Sequence, residues 1–249
     1  MSEGLYNKYE FDINECIEIL TNGKGVVLCR EAFPIRIDKV VPEIAFRNLD
    51  KKLIYFENLT VQNKLGQGAF GTVYKAIYQE QEVAVKIMQF GDLSDKEMGN
   101  QSLNAFHEFK KEVSLMSMFN HPNIVHLHGL TLEPLSIVME CLPLGNLFDL
   151  IQTKPHIITN QLATRIAFDI SKAMCVLHSV NPPIIFRDLR SPNVMLSSLD
   201  LDQKVIAKVT DFGTARMAQV MKGGELNPFW SSPEVISGKE YSTKADVYR

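Results

Sequence analysis

Three side chains carry the most chemistry in this sequence: Asp188, Asn193 five residues on, and Asp211 eighteen residues beyond that. Asp188-Leu189-Arg190-Ser191-Pro192-Asn193 is a polar loop between two apolar runs, 184–186 and 194–196, which read as short buried strands. Pro192 removes a backbone donor and fixes its own φ, which stiffens the loop just before Asn193. A third apolar run, 205–209, leads into Thr210-Asp211-Phe212-Gly213. Two carboxylates and a carboxamide presented on turns between short strands could hold a divalent cation and aim a hydroxyl. Asp-Phe-Gly alone is a common turn tripeptide, so the weight falls on what lies upstream.

The elements that would position these groups begin with a strand over 59–65 that runs into Gly66-Gln67-Gly68-Ala69-Phe70-Gly71. Glycines at positions one, three and six let a backbone fold tightly over a polyphosphate and present N–H groups without Cβ clashes. A second strand, 72–77, follows, whereas a dinucleotide-binding fingerprint would open a helix. In Val83-Ala84-Val85-Lys86-Ile87 the strand period puts the two valines and the isoleucine on one face and Ala84 with Lys86 on the other. A small residue beside an ammonium leaves room for a flat base next to a phosphate.

An amphipathic helix is expected over 103–119, with Phe106, Phe109, Val113 and Met116 on one stripe. Either Glu108 or Glu112 could face Lys86. Two further strands, 124–128 and 135–140, lead to a hinge at Glu140-Cys141-Leu142-Pro143-Leu144-Gly145. A long helix over 160–179 then carries Leu162, Ile166, Ile170, Met174 and Leu177 on one face. Five strands with one helix, followed by a helical lobe, describe a two-lobed α+β fold with a nucleotide cleft expected between the lobes.

Composition excludes several alternatives. A chain of 249 residues that is 45% hydrophobic can bury a sizeable core, and a formal charge of −3 gives no electrostatic case for nucleic acid or anionic lipid. Cys16, Cys29, Cys141 and Cys175 lie far apart, as expected for reduced thiols in the cytoplasm. The acidic N-terminus does not resemble a signal peptide, and no apolar run approaches membrane-spanning length. His126 and His128 stand at i, i+2 without a third ligand nearby and read as ordinary histidines. Residues 1–56 hold strand-like runs at 26–29 and 35–41 but no P-loop, and are expected to be an extension preceding a domain over 57–249.

Taken in order, the glycine loop at 66–71, Lys86, Glu112, Asp188, Asn193, Asp211 and Ser232-Pro233-Glu234 resemble a protein kinase from about residue 59 onward. The closer resemblance is to the tyrosine-kinase-like group. Asn181-Pro182-Pro183-Ile184-Ile185 leading into Arg187-Asp188-Leu189-Arg190-Ser191-Pro192-Asn193, together with residues 25–50, resembles the Roco, or leucine-rich-repeat kinase, family.

The resemblance implies roles. Lys86, held by Glu112, would pair the α- and β-phosphates of ATP; Asp188 would accept the substrate hydroxyl's proton; Asn193 and Asp211 would bind Mg²⁺. Gly66, Gly68 and Gly71 would cover the phosphates. Leu65, Val73, Ala84 and Met195 would sandwich adenine, with Met139 at the back and the backbone of Glu140 to Leu142 on its edge. Arg190 stands where most serine/threonine kinases carry lysine, which blurs the choice of hydroxyl amino acid, although Roco-like kinases share the arginine. The implied partners are protein serine and threonine hydroxyls, and an upstream kinase or autophosphorylation. A phosphate on Thr214, Ser231 or Ser232 could pair with Arg187, although these could equally be ordinary loop hydroxyls.

The sequence departs from the family pattern in places. Phe186 replaces the usual histidine before Arg-Asp and is expected to pack on Phe212; Asn227 and Ser231 alter the approach to Pro233-Glu234. The chain stops at residues 241–249, where the family's central C-lobe helix begins, so a C-lobe cut short is expected. Asp246 would still bond the catalytic-loop backbone, while the 160–179 helix would show its apolar face to water. The leading reading is an ATP- and Mg²⁺-dependent serine/threonine kinase. The alternative is a catalytically weak or inactive kinase fragment that binds nucleotide or a partner.

Overall fold

The computed structural model describes residues 52–68, 71–89, 109–132, 134–217 and 228–249, together with strand segments at 17–19, 26–28, 35–36 and 221–222. Two compact units form: Met1–Ser114 with His128–Met139, and Leu115–Leu127 with Glu140–Arg249. Each has its own core.

In the first unit, β1 (Ile17–Ile19), β2 (Val26–Leu28) and β3 (Ile35–Arg36) make a small antiparallel sheet. The main sheet comprises β4 (Thr60–Gln67), β5 (Gly71–Tyr78), β6 (Gln81–Met88), β7 (Leu127–Leu132) and β8 (Leu135–Glu140), in the order β4-β5-β6-β8-β7. The alternation read in β6 is realised: Val83, Val85 and Ile87 pack with Ile54, Leu59, Ala76 and Val138, so Ala84 and Lys86 take the opposite face. Residues 109–118 form the helix α1, and the part expected over 103–108 lies outside the described residues. At the sheet edge, Ile54 N–H donates to the Leu130 carbonyl at 2.8 Å. Gly129 permits this approach, because a Cβ there would lie 2.2 Å from the Lys52 carbonyl oxygen.

The strand expected at 124–128 is displaced. Ile124 instead makes an isolated bridge to Val209, and β7 begins at Leu127. The apolar run was visible in the sequence; its partner, some eighty residues downstream, was not.

In the second unit, α2 (Leu147–Thr153) is capped by Asn146, whose Oδ1 accepts the Asp149 N–H at 2.8 Å. The helix α3 (Asn160–Ser179) starts where Thr159 Oγ1 accepts the Leu162 N–H at 3.2 Å. The apolar stripe of α3 is not left open to water, contrary to expectation. Leu162 and Ile166 join a core cluster with residues of β10 (Val194–Leu196) and β11 (Ala207–Val209), and Met174 and Leu177 are also buried. Phe168, on another face of α3, is the exposed aromatic, with Lys172 Nζ 4.1 Å above its ring.

Within the stripe sits Asp169, fully buried, whose Oδ2 accepts the backbone N–H groups of Ile206 (2.8 Å) and Ala207 (3.2 Å). Its neighbour Arg165 donates to the carbonyls of Leu201, Gln203 and Lys204. Together they fix the strand that leads to Asp211.

Candidate active site

In the first unit, the Gly68 N–H donates to the Gly71 carbonyl at 2.9 Å, closing the turn between β4 and β5; Ala69 and Phe70 lie outside the described residues. The glycines differ in what they meet. A Cβ on Gly71 would sit 2.4 Å from the Ile87 carbonyl oxygen, so packing against β6 demands glycine there. Among the described residues, a Cβ on Gly66 would meet nothing within 4 Å, and one on Gly68 only the Gly71 oxygen at 3.9 Å. Neither packing among the described residues nor a positive φ accounts for these two glycines, as suits a backbone that a ligand approaches closely.

Register places Gly66 opposite Val73 and Val73 opposite Lys86, while Ala84 pairs with Lys75, so Val73, Ala84 and Lys86 share a face. Lys86 Nζ is 2.6 Å from Glu112 Oε2, with 14% and 3% of the two side chains exposed. Glu112 is thus the observed partner, and Glu108 lies outside the described residues. A charge-assisted bond this well shielded holds the ammonium in one place. Leu65 is exposed, while Met139 is buried. On α1, burial pushes the Lys110 ammonium down to about 8.

In the second unit, residues 186–193 fold around two carboxylates. Asp188 Oδ2 accepts Arg190 Nε at 3.0 Å and Asn193 Nδ2 at 2.8 Å, and the same Nδ2 donates to the Asp188 carbonyl at 2.8 Å. This commits the donor side of the Asn193 amide. Asp188 Oδ1 and Asn193 Oδ1 receive no hydrogen bond from any described residue. Thr210 N–H donates to the Asn193 carbonyl at 3.0 Å, which places Asp211 directly after that tie.

Asp211 holds φ +68° and Arg187 φ +71°, left-handed conformations that carry strain for residues with side chains. Phe186 and Phe212, both fully buried, meet edge to face at 5.3 Å, as expected for the substitution of phenylalanine before Arg187. Asp246 bonds the loop as expected: Phe186 N–H at 2.7 Å and Arg187 N–H at 2.8 Å donate to its two oxygens. His178 Nε2 lies 2.9 Å from Asp246 Oδ2.

The donor set suits a divalent cation bound through few protein oxygens. No group of three or more His, Cys, Asp or Glu side chains converges among the described residues. A small hard cation is commonly held by one or two side-chain oxygens and completed by phosphate oxygens and water. An open amide oxygen on Asn193 and the carboxylate of Asp211 are oxygens of that kind.

A family model described as protein tyrosine and serine/threonine kinase matches residues 59–249. The chain belongs to that kinase family. It is 40% identical over 247 residues to the Dictyostelium discoideum protein named probable serine/threonine-protein kinase pats1, covering 96% of this chain and 8% of that protein. It is 35% identical to probable serine/threonine-protein kinase roco5 of the same organism, covering 96% of this chain and 9% of that one. Serine/threonine-protein kinase CTR1 of Arabidopsis thaliana is 36% identical over 235 residues, 88% of this chain and 27% of that protein. The chain therefore spans under a tenth of the first two relatives and about a quarter of the third. The resemblance to Roco-type kinases stands with these matches.

Against this kinase frame, the structure brings Lys86 to Glu112 in one unit, and Asp188, Arg190 and Asn193 together in the other. Among the three hydroxyls considered for phosphorylation, Ser231 and Ser232 are buried, and Thr214 Oγ1 donates to the Phe186 carbonyl at 3.1 Å. A phosphate on either serine requires that stretch to open; Asn227 lies outside the described residues. His178, Asp169 and Lys208 were missed in the sequence. For Asp169 a signal existed, since a carboxylate inside an apolar helical stripe needs buried donors.

Proposed function

We propose that this kinase domain transfers the γ-phosphoryl group of Mg-ATP to serine and threonine hydroxyls of proteins. Bound Mg-ATP supplies the transferable group and the cation that neutralises its charge. Lys86, held by Glu112, would pair the α- and β-phosphates beneath Gly66 and Gly68. The Asn193 amide oxygen and the Asp211 carboxylate would hold the cation. Asp188, steadied by Arg190 and Asn193 through one oxygen, would accept the hydroxyl proton at the other. In the first unit Leu65, Val73, Ala84 and Met139 would contact adenine; in the second, Met195 and the Glu140 to Leu142 backbone would do so.

The observation that carries this reading is the single amide bonded to Asp188: Asn193 Nδ2 is spent on the loop, and both Asp188 Oδ1 and Asn193 Oδ1 are left open. Names of serine/threonine-protein kinases among the relatives support the choice of acceptor. The domain division follows the same reading, with residues 1–56 preceding a kinase domain over 57–249. We place the chain in the cytoplasm, where the reduced thiols of Cys141 and Cys175 persist, with an upstream kinase or autophosphorylation as the source of any regulatory phosphate.

A thermal melt of the 249-residue chain with and without Mg-ATP tests nucleotide binding, with Lys86→Met alongside. Ligand at a hundred times its Kd stabilises a binding-competent fold by about 2.7 kcal/mol. A rise with Mg-ATP that shrinks in the variant is the expected result; a cooperative melt indifferent to Mg-ATP would overturn the reading.

A further inference from the structure

The segment after β8 is tied down at both ends, by different chemistry. At its far end the ties are backbone: Leu144 N–H donates to the Leu196 carbonyl at 3.2 Å, Leu196 N–H to the Gly145 carbonyl at 2.8 Å, and Asn146 bridges Met195. At its near end the tie is a side chain. Lys208 Nζ lies 2.6 and 2.8 Å from the two oxygens of Glu140. The same carboxylate accepts the His126 N–H at 3.2 Å, and Glu140 N–H donates to the His126 carbonyl at 2.9 Å. Residues 141–143 are strung between these anchors.

Both anchors belong to one hairpin. Lys208 lies on β11, opposite Met195 on β10. Two residues past Lys208, the Thr210 N–H donates to the Asn193 carbonyl, immediately before Asp211. One ion pair thus connects the segment read above as the adenine edge to the hairpin that carries Met195, Asn193 and Asp211.

We infer that Glu140 and Lys208 are positioning residues, whose ion pair sets the backbone of residues 140–142 at a fixed register on the β10–β11 hairpin and so tunes recognition of the nucleotide base. The inference rests on the kinase reading of the same residues. Stability alone is a weak reason for the pair. The two side chains are 16% and 26% exposed, and partly hydrated pairs contribute little to folding. Contact with both carboxylate oxygens, with a backbone donor as third partner, instead gives directional restraint. A stretch held at both ends presents its N–H and carbonyl groups already ordered, which lowers the entropy lost on binding.

The test separates base from phosphate. Steady-state kinetics are measured for the parent chain, Lys208→Met, Glu140→Gln and the charge-swapped Glu140→Lys/Lys208→Glu, each with its melt without nucleotide. Binding of Mg-tripolyphosphate, which has no base, is measured in parallel. Lys208→Met is expected to raise the KM for ATP about fivefold while kcat falls less than twofold and tripolyphosphate binding is unchanged. Glu140→Gln raises KM in the same direction, and the swap returns it to within twofold of the parent. An unchanged KM in Lys208→Met, a swap that fails to restore it, or a parallel loss of tripolyphosphate binding and melting temperature would overturn the inference. A parent that neither binds nor turns over Mg-ATP would instead overturn the kinase reading itself, which keeps the two failures apart.

Discussion

Asp246 and Asp188 serve the same loop and are finished differently. Asp246 is closed, with 1% of the residue exposed and both oxygens taken by Phe186 N–H, Arg187 N–H and His178. Asp188 has both of its side-chain donors on one oxygen and leaves the other open. The glycines of the first unit repeat the contrast: Gly71 is demanded by the Ile87 carbonyl, whereas a Cβ on Gly66 or Gly68 would meet no described residue closer than 3.9 Å. Where the chain satisfies its own groups, the residue holds the fold. Where it stops short, the residue is one that the proposed function assigns to a ligand or to the transferred proton.

The largest effect should come from opening the closed member. Asp246→Ala leaves the buried Phe186 N–H and the part-buried Arg187 N–H without an acceptor, the first costing about 1–3 kcal/mol and the second less. Against a net stability of about 5–15 kcal/mol this should lower the melting temperature sharply or abolish cooperative unfolding of the second unit. Differential scanning calorimetry checks it. A melt within a degree or two of the parent would break the contrast.

Gly71→Ala and Gly68→Ala set the two kinds of glycine side by side within one loop. The first forces a Cβ to 2.4 Å from a backbone oxygen and should cost about 1–3 kcal/mol. The second should leave the melt without ligand within about 0.5 kcal/mol of the parent. Its shift with Mg-ATP should be smaller. Equal destabilisation by both would mean that the two glycines answer to the same internal constraint.

Much of this contrast was legible in the sequence because the spacing is local. Asp188 and Asn193 sit five residues apart around Pro192, and α3 runs over the expected residues because Thr159 caps it and its apolar positions recur at three and four. What was illegible depends on distant partners. His178 meets Asp246 across 68 residues, Lys208 meets Glu140 across 68, and Asp169 meets Ile206 across 37. Hydrophobic periodicity reports which face is buried, but not which remote backbone N–H or ammonium fills a buried oxygen. The displaced start of β7 has the same origin, since Ile124 answers to Val209 rather than to its neighbours in the chain.

A smaller effect concerns a cation on the closed side. Lys110 is buried and its ammonium titrates near 8 rather than at the ordinary 10.5. Between those values the unfolded chain binds a proton that the folded chain does not, so stability rises with pH across that window. The limiting slope is about 1.4 kcal/mol per pH unit. Lys110→Met should flatten this rise in chemical denaturation followed from pH 8 to 10. A slope unchanged by the substitution would assign the titration elsewhere.

The proposed role of the open Asp188 oxygen as proton acceptor is read by phosphotransfer from Mg-ATP to serine- and threonine-containing peptides. The parent chain and Asp188→Asn are compared, with their melts in Mg-ATP recorded alongside. Transfer by the parent is expected, with a loss of roughly 10²–10⁴-fold in Asp188→Asn and the nucleotide-dependent melt shift retained. Transfer by Asp188→Asn at the parent's rate, or a parent that binds Mg-ATP and modifies no hydroxyl, would contradict it.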